Sequence, residues 1–217
     1  MTLLLVRHAT HTGAPGVLWG RTPGLGLSAE GREEASALAR ALRPRALAAL
    51  YTSPRRRCRE TAAAIAEEAG LEAVDEPALD EIDYGTWTGR AFAELEDDAD
   101  WRLWNAERSR AAPPGGESMR AAQARALGVL PSWLARHGGR TVAAVTHADV
   151  IRALACAALA LSLDRVLRFD ADLASVTTLA LWRGGPPDEF ALGVAGKITR
   201  LNEVFARDGA PARGIAS

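Results

Sequence analysis

The sequence predicts an α/β fold: a mostly parallel central sheet with helices on both faces, and an inserted cap region over the carboxyl ends of the strands. Three observations carry this expectation. Short apolar runs recur at Leu3–Val6, Leu47–Tyr51, Thr141–Thr146 and Val176–Trp182. Amphipathic helical patterns lie between most of them, and strands alternating with helices argue for a parallel sheet covered on both sides. The stretch from Glu76 to Glu117, rich in tryptophan and acidic residues, breaks that rhythm and reads as the insert.

The first run, "LLLV", is continuous enough to be a strand buried on both faces. From Ser28 to Leu42 the apolar positions Ala35, Leu38, Ala39 and Leu42 follow the spacing of one helix face. After the second strand, Ser53-Pro54 reads as N-cap and first residue of a helix. Its inner face is Cys58, Ala62, Ile65, Ala66 and Ala69, and Gly70 ends it. A third helical pattern runs from Ser118 to His137, with Pro131 expected to kink or split it. A fourth follows Thr146-His147 and turns Ile151, Leu154, Ala155 and Ala158 inward. Residues 1–207 thus read as one domain, 76–117 as its cap and 208–217 as a frayed tail.

Bulk composition narrows the function. The 217 residues are 48% hydrophobic and 24% charged, as in an ordinary globular domain. A net charge of -1 provides no general field for a polyanion, which argues against nucleic acid as partner. No segment has the length or flanks of a secretory leader or a membrane span, so a cytoplasmic protein without a membrane partner is expected. The two cysteines, Cys58 and Cys156, form no C-x-x-C pair and read as buried small residues on helices. Assembly into a homo-oligomer is compatible with this composition.

Chemistry is expected where strands end. In an open α/β sheet, ligands bind outside the carboxyl ends of the strands. Two strands here end in histidine: "LLLVRH" at His8, with Arg7 before it, and "TVAAVTH" at His147. Adjacent parallel strands would bring these residues together across 139 positions of sequence. One strand-end histidine is more simply a satisfied rim residue; two, one beside an arginine, are less simply explained. "TSPRRRCRET" then places Arg55, Arg56 and Arg57 at a helix start, where the dipole favours anions. A solvated face explains Arg55, Arg56 and Arg59, while one of the cluster can point inward and bind phosphate bidentately. "LDEIDYGTWTG" adds Asp80, Glu81 and Asp83 before a glycine–aromatic turn, a weak signal by itself. Two histidines, at least two arginines and an acid outline a phosphate site.

At this point the sequence resembles the histidine phosphatase superfamily, in its branch 1 or phosphoglycerate mutase-like group. "LLLVRHA", "GRTPGLGLSAEGREEA", "TSPRRRCRETA", "DEIDYGTWTG", "PPGGES" and "VTHADVIRALA" look, in order, like that family's blocks. The resemblance implies a phosphomonoesterase that hydrolyses a small phosphorylated metabolite through a phosphohistidine, with no metal and no cofactor. His8 would be the nucleophile. Arg7 and Arg57 would bind phosphate, His147 would donate to a phosphoryl oxygen, and Glu81 would serve as general acid and then base. Gly20 and Arg21 are further candidates for substrate contact. Ala9 and Ala148 stand where the family has glycine, and no asparagine follows His8 at the usual distance; His11, Thr12 and the Gly20-Arg21 loop are candidates to replace it.

Three other readings compete. A cofactor-dependent phosphoglycerate mutase would share these core residues, but "DEIDYG" looks more like the phosphatases. Between Glu76 and Glu117 there are eleven acidic residues against four arginines, which argues against a bisphosphate. A metal enzyme using His8, His11 and His147 lacks a matching acidic cluster. An inactive binding module is disfavoured because all five core positions are filled. Trp87, Trp101 and Trp104 would form either a small core under the cap or a surface that stacks on substrate, the first being favoured.

Overall fold

The computed structural model describes residues 1–185, 189–191 and 193–205. The tail expected to fray lies outside them. Strands β1 (Thr2–Arg7), β2 (Leu47–Thr52), β3 (Ala73–Asp75), β4 (Thr141–Thr146), β5 (Val176–Arg183), β6 (Glu189–Ala191) and β7 (Val194–Glu203) form one sheet in the order β3-β2-β4-β1-β5-β7-β6. The first four run parallel to one another; β5 is antiparallel to β1, and β7 is antiparallel to β5. Five of the seven strands therefore point the same way. Three of these strands fall outside the runs visible in the sequence: β3, β6 and β7.

The helices are α1 (Ala29–Leu42), α2 (Arg56–Ala69), α3 (Phe92–Leu95), α4 (Ala99–Ala106), α5 (Met119–Gly128), α6 (Leu130–His137) and α7 (Ala148–Ala158). Pro131 splits the third helical pattern as expected, standing in the first turn of α6, where its missing N–H costs no helical bond. Ser28 caps α1 by accepting from the Gly31 amide. Ser53, however, does not cap α2: the helix starts two residues later than the sequence suggests, with Arg55 at the cap and no side-chain cap bond.

Strand β1 shows why the run is uniformly apolar. Leu3, Leu4, Leu5 and Val6 are all fully buried. Alternation sends Leu3 and Leu5 to one face, against Trp133 and Leu134 of α6 and Val150, Ile151 and Leu154 of α7. It sends Leu4 and Val6 to the other, against Leu38 and Leu42 of α1 and Cys58, Ala62 and Ile65 of α2. A strand covered by helices on both faces has no solvent side for polar residues.

The segment between β3 and α5 builds its own core. Trp87 and Trp104 are fully buried with Ile82, Leu95 and Met119, and this cluster rests on Ala153 and Cys156 of α7. Two glycines let its ends meet. A Cβ on Gly85 would lie 2.2 Å from the Pro114 carbonyl, and one on Gly116 would lie 2.3 Å from the Asp83 carbonyl. The "DYG" and "PPGGE" stretches thus touch backbone to backbone, closed by Glu117 N–H donating to Asp83 O at 2.7 Å. Among the described residues, no helix is long and apolar enough to cross a membrane.

Candidate active site

The β1–β4 register pairs Arg7 with Thr146, so both strands deliver their next residue, His8 and His147, at the same level. The two imidazole centroids are 5.3 Å apart. His8 is held by main-chain chemistry. Its amide donates to Thr146 O at 3.0 Å, and its Nδ1 lies 2.9 Å from Ala9 O. A carbonyl can only accept, so Nδ1 carries the proton and Nε2 keeps its lone pair. Burial, with Arg57 and Arg7 nearby, pushes the His8 pKa well below its ordinary value. His8 is therefore neutral near pH 7, with the lone pair of Nε2 unprotonated.

Arg7 and Arg57 flank it. Arg7 Nη1 donates to Ala171 O at 2.6 Å, and Arg57 Nη2 donates to Gly20 O at 2.7 Å. Among the described residues, neither forms an ion pair within 4.0 Å, and Arg7 Nε with Arg57 Nε and Nη1 are buried donors without a protein partner. Buried guanidinium donors without a carboxylate are costly unless an anion meets them. Of the arginine run, Arg57 alone turns inward. Arg55 is not on a solvated face as expected: its Nε donates to Asp80 at 2.7 Å and its Nη1 to Arg21 O. Arg56 and Arg59 do face solvent, paired with Glu60 and Asp75.

His147 is fully buried. Its Nδ1 is 3.1 Å from Arg57 Nη2 and 3.6 Å from Glu81 Oε2, and its Nε2 is 2.8 Å from Ser53 Oγ. Arginine only donates, so in this arrangement Nδ1 accepts and Nε2–H donates to Ser53. Burial first, then Arg57 and His8, holds its pKa well below the usual histidine value. Ser53 is thus a site residue that sequence reading missed by assigning it to a helix cap. The thiol of Cys58 lies against the same ring, and burial pushes it up to about 12, which leaves it unreactive.

Glu81 completes the group. Burial, and then the charge of Asp149, raise its carboxyl pKa to about 7. Its main chain is fixed: Glu81 O accepts from Arg21 Nε at 2.7 Å and from Arg125 Nη2 at 3.1 Å. Both arginines also bind Glu117. The structure thus commits Arg21, a candidate for substrate contact, to ion pairs with Asp80, Asp83 and Glu117 and to this carbonyl. Asp80, despite the opposing effect of burial, is held below the usual carboxylate range by hydrogen bonds and charge from Arg55.

Arg7, His8, Arg57 and Glu81 line a cavity of about 350 Å³, together with His11 and Gly20. His11 lies 5.5 Å from His8 between ring centroids, and its Nδ1 accepts from the Gly13 amide, which leaves Nε2–H as the ring's donor. Burial and the two arginines lower its pKa to about 4. The Ala9 methyl is packed in the core under α2, whereas Ala148 reaches the cavity wall. Asp149 anchors the far side. It accepts from Tyr84 and Arg108 at 2.8 Å each, and from Arg152 at 3.3 Å. The acidic excess of the cap does not face this space: of its acidic residues only Glu81 lines the cavity, beside the cap's Arg108. Among the described residues, no group of three His, Cys, Asp or Glu side chains could hold a metal ion.

Residues 3–188 match the family model for the histidine phosphatase superfamily, branch 1. The chain belongs to that superfamily. This histidine phosphatase is 36% identical over 182 residues to phosphoserine phosphatase 1 of Hydrogenobacter thermophilus, covering 82% of this chain and 85% of the relative. It is 31% identical over 186 residues to a 2,3-bisphosphoglycerate-dependent phosphoglycerate mutase of a Chelativorans species, covering 78% and 86%. Its fold matches a mycobacterial glucosyl-3-phosphoglycerate phosphatase at a TM-score of 0.81 and 25% identity, over 93% and 98% of the two chains.

Proposed function

We propose that this histidine phosphatase is a phosphomonoesterase that hydrolyses a small phosphate ester through a phosphohistidine on His8, in the cytoplasm and with neither metal nor cofactor. The observation that carries the reading is the fixed tautomer of His8, with Nε2 unprotonated between two arginines that have no carboxylate partner. Relatives named as phosphatases support hydrolysis, and the free, buried Cys58 and Cys156 suit a reducing compartment.

In the first step Arg7 and Arg57 receive the phosphoryl oxygens, and His8 Nε2 attacks phosphorus. The ester P–O bond breaks, and the Glu81 carboxyl gives its proton to the departing alkoxide. In the second step the Glu81 carboxylate takes a proton from water, the water oxygen bonds phosphorus, and the N–P bond breaks to release inorganic phosphate. Transfer of this kind depends on positioning and charge neutralisation, and the covalent intermediate divides one displacement into two. Once Arg57 turns its donor to the phosphoryl group, His147 Nδ1 is free to donate if the proton sits there. Ser53 suits that exchange, because a hydroxyl can accept from Nε2–H or donate to bare Nε2.

The test is product analysis. The purified enzyme is expected to release inorganic phosphate from a panel of monoesters, unchanged after EDTA treatment and dialysis. It should interconvert 3- and 2-phosphoglycerate only slightly when 2,3-bisphosphoglycerate is supplied. Fast bisphosphate-dependent interconversion with negligible phosphate release would establish the mutase instead. Loss of activity on chelation, restored by zinc or magnesium, would establish a metalloenzyme.

A further inference from the structure

The cavity has two chemically distinct parts. Its floor is the polar group around His8. Its outer wall is apolar: Val17 and Trp19 from the loop after β1, Phe92 and Trp101 from the cap, and Leu167. The wall is a built surface. The Leu18 amide donates to Arg90 O at 2.9 Å, the Gly89 amide to Leu18 O at 2.8 Å and the Phe92 amide to Gly16 O at 2.8 Å, which ties loop to cap. The Phe92 and Trp101 rings stack at 6.0 Å and 25°. Unlike Trp87 and Trp104, which are fully buried in the cap core, Phe92 is 41% exposed and Leu167 is 56% exposed. Large apolar side chains left in water beside a cavity mark a surface for an apolar ligand.

The charges on the far side of the cavity are grouped around Asp149. Arg7 and Arg57 serve the phosphoryl group. The remaining cavity arginines, Arg108 and Arg152, share Asp149, and Arg152 also reaches Asp170 at 4.0 Å. Arg152 is the less fully engaged of the two: it lies 3.3 Å from Asp149, Asp170 is exposed, and its Nε is a buried donor without a protein partner. A carboxylate on the leaving group would have to compete with Asp149 for these two guanidiniums, and a buried charge that is left poorly paired is strongly disfavoured.

We propose that the leaving group selected by this site is an uncharged alcohol bearing an aromatic ring or a bulky apolar group, and that esters carrying a carboxylate are discriminated against. This rests on the phosphomonoesterase reading above. Three alkyl monoesters test it: 3-phenylpropyl phosphate, glycerol 1-phosphate and O-phosphoserine. The wild-type kcat/KM is expected to be about tenfold or more higher for the phenylpropyl ester than for either other substrate, as burial of a ring on an apolar wall implies. Phe92→Ala and Leu167→Ala, both at exposed positions, should shrink that preference several-fold. Phe92→Arg, which adds a cation at the wall, should move it towards O-phosphoserine.

Wild-type turnover of O-phosphoserine equal to or faster than the phenylpropyl ester would overturn the substrate class while leaving the phosphatase standing. A preference unchanged in both alanine variants would overturn the role of the wall. Absence of turnover of every monoester, p-nitrophenyl phosphate included, would remove the phosphatase reading and this inference with it.

Discussion

His8→Ala is expected to lower phosphatase turnover by roughly 10⁴-fold or more, because removing a covalent nucleophile deletes the pathway and leaves only binding and charge stabilisation. The geometry concentrates the effect in this one side chain. His11 is close in space, but its ring is fixed with Nδ1 accepting from Gly13, and His147 is enclosed by Arg57, Glu81 and Ser53. Neither can take over an attack from the position of His8 Nε2. Wild-type enzyme quenched during turnover should contain an acid-labile, base-stable phosphoryl group, and the variant should contain none. His8→Gln keeps a side chain in the buried position and controls for packing. It should melt near the wild-type temperature and be equally inactive. A folded His8→Ala enzyme that retained full activity, or still formed the same adduct, would end the covalent scheme.

The parts of this molecule written in local pattern were legible, and those set by distant contacts were not. Strands β1 and β4 are buried on both faces, so their apolar runs are unbroken and their ends, His8 and His147, stand out. Strand β7 stayed hidden because its Thr199, Arg200 and Leu201 are not buried and give no continuous apolar run; β3 has three residues, all exposed. Ser53-Pro54 carries a strong local cap signal, yet the side chain is claimed by His147, 94 positions away. Arg21, Glu117 and Arg125 lie far apart in sequence and meet only in the folded chain, and nothing in their local sequence marks them as the support of Glu81. Periodicity could not show how the tryptophans are used: Trp87 and Trp104 form a core as favoured, with Trp101 packed against it, and Trp101 and Trp104 also line the cavity.

Glu81→Gln is expected to separate substrates by leaving group. A general acid contributes about 10²–10⁴-fold when the departing oxygen is strongly basic. Alkyl phosphates should therefore lose activity in that range, whereas phosphorylation of His8 by p-nitrophenyl phosphate, read as the nitrophenol burst, should slow by less than about tenfold. The pH dependence has a definite sign. The first step needs the protonated carboxyl, so wild-type kcat/KM for an alkyl ester should fall as pH rises through about 7, where Glu81 loses its proton. The acid limb should lie well below pH 6.5, since burial and the two arginines keep His8 neutral down to that range. In Glu81→Gln the alkaline fall should disappear. Stability provides an independent reading of the same proton. A carboxyl whose folded pKa is raised stabilises the fold below its unfolded value, and that contribution is lost as pH rises through the folded one. Gln carries no such charge, so the variant should melt a few degrees above wild type at pH 8, with little gain at pH 5. Equal losses on alkyl and nitrophenyl esters, with the alkaline limb intact, would assign the proton transfer to another group.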